Sequence, residues 1–316
     1  MVHSQLTRLA AGAAPRAWVG PLVVLLAWLE AGRVEAAFDV SPPRRVGAGT
    51  AVVLRPRGAA DERSIAESGD LLIHFHGAVD TIREALERAG IRATVVVVNQ
   101  PGLSAAYAAP VREHPALFDS LVSEAALSTP DQPDAPGRHW RRITLSCFSA
   151  GYGAVREILR DPAAVDRIDA VVAADSIYAG IADESAAAGS RAVDPRDMDA
   201  FVAFAERAAR GEKVFVVTHS AQPTSYASTT ETADHLLGSV GLRRTAVEPA
   251  ADAEYPQASR AGRGRFLVLG FAGASGPAHL FHLRSVDRWW AIADQVAEHG
   301  VEDGRPRPAA ATGSPR

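Results

Sequence analysis

Ile143-Thr144-Leu145-Ser146-Cys147-Phe148-Ser149-Ala150-Gly151-Tyr152-Gly153-Ala154-Val155-Arg156 is the stretch that decides the fold. An apolar, β-branched run passes into a serine and then, without a break, into small residues that open a helix. A strand that turns this sharply into a helix strains the residue at the turn and exposes its side chain. The turn also brings backbones close, so the positions two before and two after the serine need small residues. Gly151 meets the second requirement, and Cys147 stands at the first. Gly153 lets the following helix lie close to the sheet. Ser149 is therefore the candidate nucleophile, and the Ala150 backbone N–H faces a developing oxyanion. Cys147 is the rival nucleophile, but a position inside the end of the strand reads better as a buried small hydrophobe.

Outward from this segment, short apolar runs alternate with longer amphipathic ones. Strands are expected at Gly49–Leu54, Leu71–His76, Ala93–Asn99, Ile143–Phe148, Ala170–Ala174, Val214–Thr218 and Phe266–Phe271. Helical patterns lie near 79–90, 115–127, 151–161, 196–210, 230–240 and 277–298. This alternation implies right-handed βαβ units, hence an α/β protein: a three-layer α/β/α sandwich around a mostly parallel central sheet. Runs such as Val95-Val96-Val97-Val98 fit central strands buried on both faces. Residues 37–300 read as a single domain.

Sites in such sheets form at the carboxyl ends of the strands, so the residues that follow each strand are the candidates. His76-Gly77-Ala78 follows the second strand, and Gly77 or Ala78 would supply a second oxyanion N–H. His74-x-His76 also admits a metal reading, with both rings on one strand face, but no carboxylate pattern completes a ligand set. After the last strand, Pro277 fits the first helical position with Ser275 or Gly276 as cap. That puts His279 in the first turn as the candidate base, with His282 one turn further as the runner-up. For the acid that would orient the base, Asp175 ends an apolar run. Glu231 is the alternative, and Ser228-Thr229-Thr230-Glu231 reads as a capping box that explains it structurally. His219 either joins the site or ends its strand. Gln100–Tyr107 could form part of a lid and His219–Thr230 could line a polar wall, or either could be passive connection, and 179–195 could form a small cap.

Composition narrows the class. The chain has 316 residues, 33 Lys+Arg against 37 Asp+Glu, and no basic stripe, which argues against nucleic acid as partner. One cysteine excludes an internal disulfide and any cysteine-built zinc site. Residues 1–36 read as a signal peptide: Arg8 and Arg16 precede the uncharged Ala17–Leu29, and Val34-Glu35-Ala36 offers small residues at the cleavage site. The apolar run is shorter than the roughly 20 residues a membrane span needs. The expected location is secreted or periplasmic, with a membrane involved only if this segment stays uncleaved. Residues 301–316 read as a disordered tail.

The pattern over residues 45–298 resembles the α/β-hydrolase superfamily. The residues that carry the resemblance are the strand–helix order, His76-Gly77, the Ser149 turn, and the chain order Ser149, Asp175, His279. Two features depart from the family pattern: Cys147 in place of the first glycine of the turn, and an acid after the sixth strand instead of the seventh. The resemblance implies a serine hydrolase that cleaves carboxylic esters or related acyl bonds in a small-molecule substrate. It would work through an acyl-enzyme and without a cofactor. A peptidase or acyltransferase would share this chemistry, and a catalytically inactive binding protein would share the fold. The sequence is silent on oligomeric state.

Overall fold

The computed structural model describes residues 38–57, 69–127, 140–182, 191–302 and 305–306. The expected signal peptide and most of the expected tail lie outside them. Within the described residues, β1 (Phe38–Val40), β2 (Arg44–Val46) and β3 (Gly49–Pro56) precede β4 (Asp70–Phe75), α1 (Val79–Ala89) and β5 (Thr94–Asn99). Then come α2 (Ser104–Glu113), α3 (Leu117–Leu127), β6 (Arg142–Phe148), α4 (Tyr152–Leu159), α5 (Pro162–Arg167) and β7 (Ala170–Ala174). The chain continues through α6 (Pro195–Ala209), β8 (Val214–His219), α7 (Thr229–Ser239), β9 (Thr245–Ala246), β10 (Gln257–Arg263) and β11 (Phe266–Phe271). It ends in α8 (Gly276–Arg284), α9 (Val286–His299) and the two-residue strands β12 (Val301–Glu302) and β13 (Arg305–Pro306).

Strands β1 to β11 form one sheet in the order β1-β3-β5-β4-β6-β7-β8-β11-β10-β9, with β2 also on β3, and β12 pairs with β13 in a separate two-stranded sheet. From β5 to β11 all neighbours run parallel, and the outer pairs are antiparallel. The parallel centre explains the near-continuous valines, since both its faces are covered. On one face Ile82 and Leu86 of α1 and Trp289 and Val296 of α9 pack on Leu72, Val97 and Val172. On the other, α2 to α4, α6 and α7 cover Ile73, Val96, Leu145 and Phe215. These are the three expected layers.

The order of the strands positions the site. The chain reverses its direction of travel across the sheet between β4 and β6, so the loops after these two neighbours open a crevice at the carboxyl end. The strands β4, β6, β7, β8 and β11 stand side by side, and every candidate residue follows one of them.

Three expectations change. The segment read as a lid is half helical: residues 100–103 are loop and 104–107 open α2, where Tyr107 is buried. The single helix expected at 277–298 turns at Ser285 into α8 and α9. The expected tail begins with an anchored residue, because Val301 N–H donates to Gly264 O at 2.7 Å. In the segment read as a small cap, Ile181 pairs with Val193, and residues 183–190 lie outside the described set.

Candidate active site

Ser149 directly follows β6 at φ 47°, in the left-handed region, and opens a short 3-10 turn that leads into α4. Gly151 is required there, since a Cβ would meet Phe75 O at 2.2 Å. Gly153 is required for the next layer, since its Cβ would meet Ser104 O of α2 at 2.1 Å. Cys147 needs no such space. Its side chain is fully buried, and burial pushes the thiol up to about 12. The thiol thus stays protonated. It lies 3.2 Å from Ser176 Oγ, which in turn donates to Ser149 O at 2.8 Å.

Among the described residues, three non-glycine residues have positive φ: His76 at 74°, Ser149 at 47° and Asp175 at 43°. They follow β4, β6 and β7, three adjacent strands. Such backbone costs on the order of 1–3 kcal/mol per residue and gathers at functional sites.

Asp175 is fully buried. His279 Nδ1 donates to its Oδ2 at 2.7 Å. Ser220 N–H donates to Oδ1 at 2.8 Å, and the Thr229 hydroxyl donates to the same oxygen. Burial alone would raise this carboxyl's pKa. The hydrogen bond from His279, the His282 ring nearby, Thr229 and Ser220 overcome it and hold the acid well below the usual carboxylate range. It is an ionised acceptor at neutral pH.

His279 sits in the first turn of α8, with Ser275 as N-cap and Pro277 at the start. Its Nδ1 is held by Asp175, so Nε2 is the free nitrogen. Its ring stacks on Phe148, the residue before Ser149, with centroids 4.5 Å apart. The other candidates lie elsewhere. His282 is fully buried, bonds Thr218 Oγ1 through Nδ1 at 2.7 Å, and burial lowers its pKa to about 4. Glu231 accepts two bonds from Arg191 Nη2 at 3.0 Å and closes the capping box with Ser228. His219 is buried at the end of β8 with Nδ1 on Thr230 Oγ1 at 3.0 Å. Ser149 Oγ makes no hydrogen bond among the described residues; such bonds are often long until substrate binds.

The loop after β4 corrects one expectation. Gly77 N–H is already given to Asn99 Oδ1 at 3.0 Å, and Asn99 Nδ2 donates back to Gly77 O at 2.8 Å. His76 N–H donates to Val98 O. The uncommitted N–H of this loop is that of exposed Ala78. Ala150 N–H is uncommitted as well, because no earlier turn of helix accepts it.

The two histidines of β4 do not share a metal-binding face, since β4 ends at Phe75 and His76 lies past the strand. Both nitrogens of His74 are engaged, Nδ1 with Ser146 Oγ at 2.9 Å and Nε2 with His76 O at 3.3 Å. Among the described residues no group of three His, Cys, Asp or Glu is arranged to hold a metal. Sequence reading missed Asn99, Ser176, Thr218 and Thr229. Asn99 carried a signal, as a polar residue ending a run of four valines.

A left-handed serine between strand and helix, followed in chain order by a buried acid and the histidine bonded to it, on this strand order, settles the architecture. The fold is that of the α/β-hydrolases. No family model and no curated protein sequence matches the chain. Among solved structures it is similar to a carboxyl esterase from the fungus Tuber melanosporum, at 14% identity and TM-score 0.46, over 84% of this chain and 87% of that one. It is also similar to a cold-adapted esterase from an Arctic intertidal metagenomic library, at 12% identity and TM-score 0.44, over 84% and 95%. Est1E from Butyrivibrio proteoclasticus aligns at 11% identity and TM-score 0.42, over 82% and 98%. All three scores are below 0.5, so the α/β-hydrolase assignment rests on this chain's own strand order and site geometry.

Proposed function

We propose that this α/β-hydrolase-fold protein is a serine hydrolase of carboxylic esters that works through an acyl-enzyme. The observation that carries this reading is the 2.7 Å bond between His279 Nδ1 and buried Asp175, on the strand ends that also hold left-handed Ser149. With Asp175 ionised and accepting from Nδ1–H, His279 keeps its basic lone pair on Nε2. That nitrogen takes the Ser149 proton as Oγ attacks the ester carbonyl. The oxyanion is received by the N–H groups of Ala150 and Ala78. His279 then returns the proton to the departing alcohol. Water hydrolyses the acyl-serine by the same steps, releasing the acid and restoring Ser149.

The test is labelling with a fluorophosphonate probe alongside turnover of p-nitrophenyl acetate. Both are expected in the wild type, and both are lost in Ser149→Ala. Asp175→Asn lowers kcat by about three to four orders of magnitude, while Glu231→Gln keeps the triad intact. A well-folded wild type that neither labels nor turns over ester overturns the reading. Loss confined to Glu231→Gln moves the acid to Glu231.

A further inference from the structure

Three tyrosines stand in a row beside this site. Tyr152 lies three residues after Ser149, Tyr178 three residues after Asp175, and Tyr226 in the loop between β8 and α7. The Tyr152 and Tyr178 ring centroids are 5.8 Å apart, tilted by 56°. Tyr178 and Tyr226 are 5.4 Å apart, edge to face at 81°. Exposure rises along the row: Tyr152 is buried, Tyr178 is partly buried, and Tyr226 is 48% exposed. The row therefore runs from the helix behind the nucleophile to the surface.

The middle of the row is tied to the site on both sides. Ser176 Oγ donates to Ser149 O, and Ala227 N–H donates to Ala179 O at 2.9 Å. Tyr178 is thus fixed between the nucleophile's turn and the loop that carries Tyr226.

Core packing alone does not explain the row, because its outer end is open. Among the described residues four large hydrophobic side chains are exposed: Val40, Leu103, Tyr226 and Leu280. The last three all lie at the carboxyl end of the sheet: Leu103 follows β5, Tyr226 follows β8, and Leu280 adjoins His279. The polar ends of the rings differ as well. The Tyr152 hydroxyl bonds Ser104 Oγ at 3.1 Å. The Tyr178 hydroxyl makes no hydrogen bond among the described residues, and burial followed by the nearby Asp175 charge pushes its pKa far up. It remains a protonated donor with no side-chain or backbone acceptor among the described residues, beside the site.

We propose that Tyr152, Tyr178 and Tyr226 form the recognition wall for an aromatic group of the ester, with the Tyr178 hydroxyl donating to an oxygen on that ring. The substrate class is an aryl-bearing ester with a ring hydroxyl or ether oxygen. A flat guest extends the edge-to-face row already present, which a saturated ring of equal size does not. The proposal rests on the ester-hydrolase reading above.

The test compares matched rings. kcat/KM is measured for methyl 3-(4-hydroxyphenyl)propanoate, methyl 3-phenylpropanoate and methyl 3-cyclohexylpropanoate, and for benzyl acetate against cyclohexylmethyl acetate. In at least one pair the aromatic ester is favoured about fivefold or more. Tyr226→Leu, at an exposed site that tolerates the change, brings that ratio toward one. Tyr178→Phe removes the preference for the hydroxyphenyl ester over the phenyl ester and leaves the preference for phenyl over cyclohexyl. Equal rates for aromatic and saturated rings in a wild type that hydrolyses p-nitrophenyl acetate overturn the proposal alone. So does an aromatic preference that Tyr226→Leu does not move. No turnover of any ester overturns the hydrolase reading and this proposal together.

Discussion

Cys147 and Ser176 show how single side chains replace what a glycine does elsewhere. Two residues before the nucleophile, the thiol points into the core and toward Ser176, whose hydroxyl holds the carbonyl of Ser149. The strained serine is thus supported from behind by a side-chain bond. Ser176→Ala removes the only side-chain donor to that carbonyl among the described residues. Leaving such a group unsatisfied costs about 1–3 kcal/mol, and Cys147→Ala costs about 1 kcal/mol through a small cavity. Urea unfolding monitored by tryptophan fluorescence should show both losses, the larger for Ser176→Ala. Ester turnover should fall further in Ser176→Ala than in Cys147→Ala, because only the first frees the backbone of the nucleophile. Equal turnover in the two variants would mean that the hydroxyl does not hold the serine in place.

At the level of elements, the nucleophile's position depends on how closely α2 approaches α4. A Cβ at Gly153 would meet the Ser104 carbonyl oxygen at 2.1 Å and its carbon at 2.9 Å, both backbone atoms. On an exposed helix, Gly→Ala stabilises by up to about 1 kcal/mol. Here the sign reverses, because α2 must shift, and overpacking costs about 1–3 kcal/mol. Gly153→Ala is expected to lower the melting temperature, and a rise would show that α2 gives way freely. The same contact explains what the sequence concealed. Gly153 was readable as a place where something approaches, but the partner was expected to be the sheet. Helix α2 hid behind Ser104-Ala105-Ala106-Tyr107-Ala108-Ala109-Pro110, whose alanines carry no apolar period and whose proline reads as a breaker. The β10 strand hid for a similar reason. Gln257–Arg263 alternates weakly because it lies toward the sheet edge, and only the Arg263-Gly264-Arg265-Phe266 turn, with Gly264 at φ 60°, marks the hairpin. The parallel centre was legible because burial on both faces favours near-continuous apolar runs rich in valine, isoleucine and leucine. Ser149 and Asp175 were legible because each directly follows such a run, and His279 because Ser275 and Pro277 mark the start of the helix after the last strand. Their supports, Asn99, Ser176 and Thr229, are ordinary polar residues whose role exists only once the chain has folded.

Across the whole molecule, the site is paid for with buried imidazoles, and these set how the fold responds to acid. His74 is held neutral by burial, with its pKa lowered to about 3, and His282 likewise to about 4. Their bonds are built for the neutral form. The Trp290 indole donates to Ser146 Oγ at 3.0 Å, Ser146 donates on to His74 Nδ1, and His74 Nε2–H reaches the His76 carbonyl that anchors the loop carrying Ala78. In the unfolded chain each of these histidines takes up a proton near pH 6.5. Between that pH and its lowered folded value, the unfolded state holds the extra proton, so stability falls as the pH falls. The slope is about 1.4 kcal/mol per pH unit for each histidine. Asp175 acts in a separate window. Its pKa is lowered on folding, so its contribution is intact above about pH 4, the ordinary carboxylate value, and is lost only as the pH drops below it. Stability should therefore begin to fall near pH 6, well above the carboxylate range. Urea midpoints measured from pH 7 to pH 4 test this. The wild-type slope should correspond to the uptake of at least two protons, and His282→Gln should reduce it by about one. A stability profile flat down to pH 4.5 would show that these imidazoles are protonated in the folded state, and that the wire behind the Ala78 loop is charged.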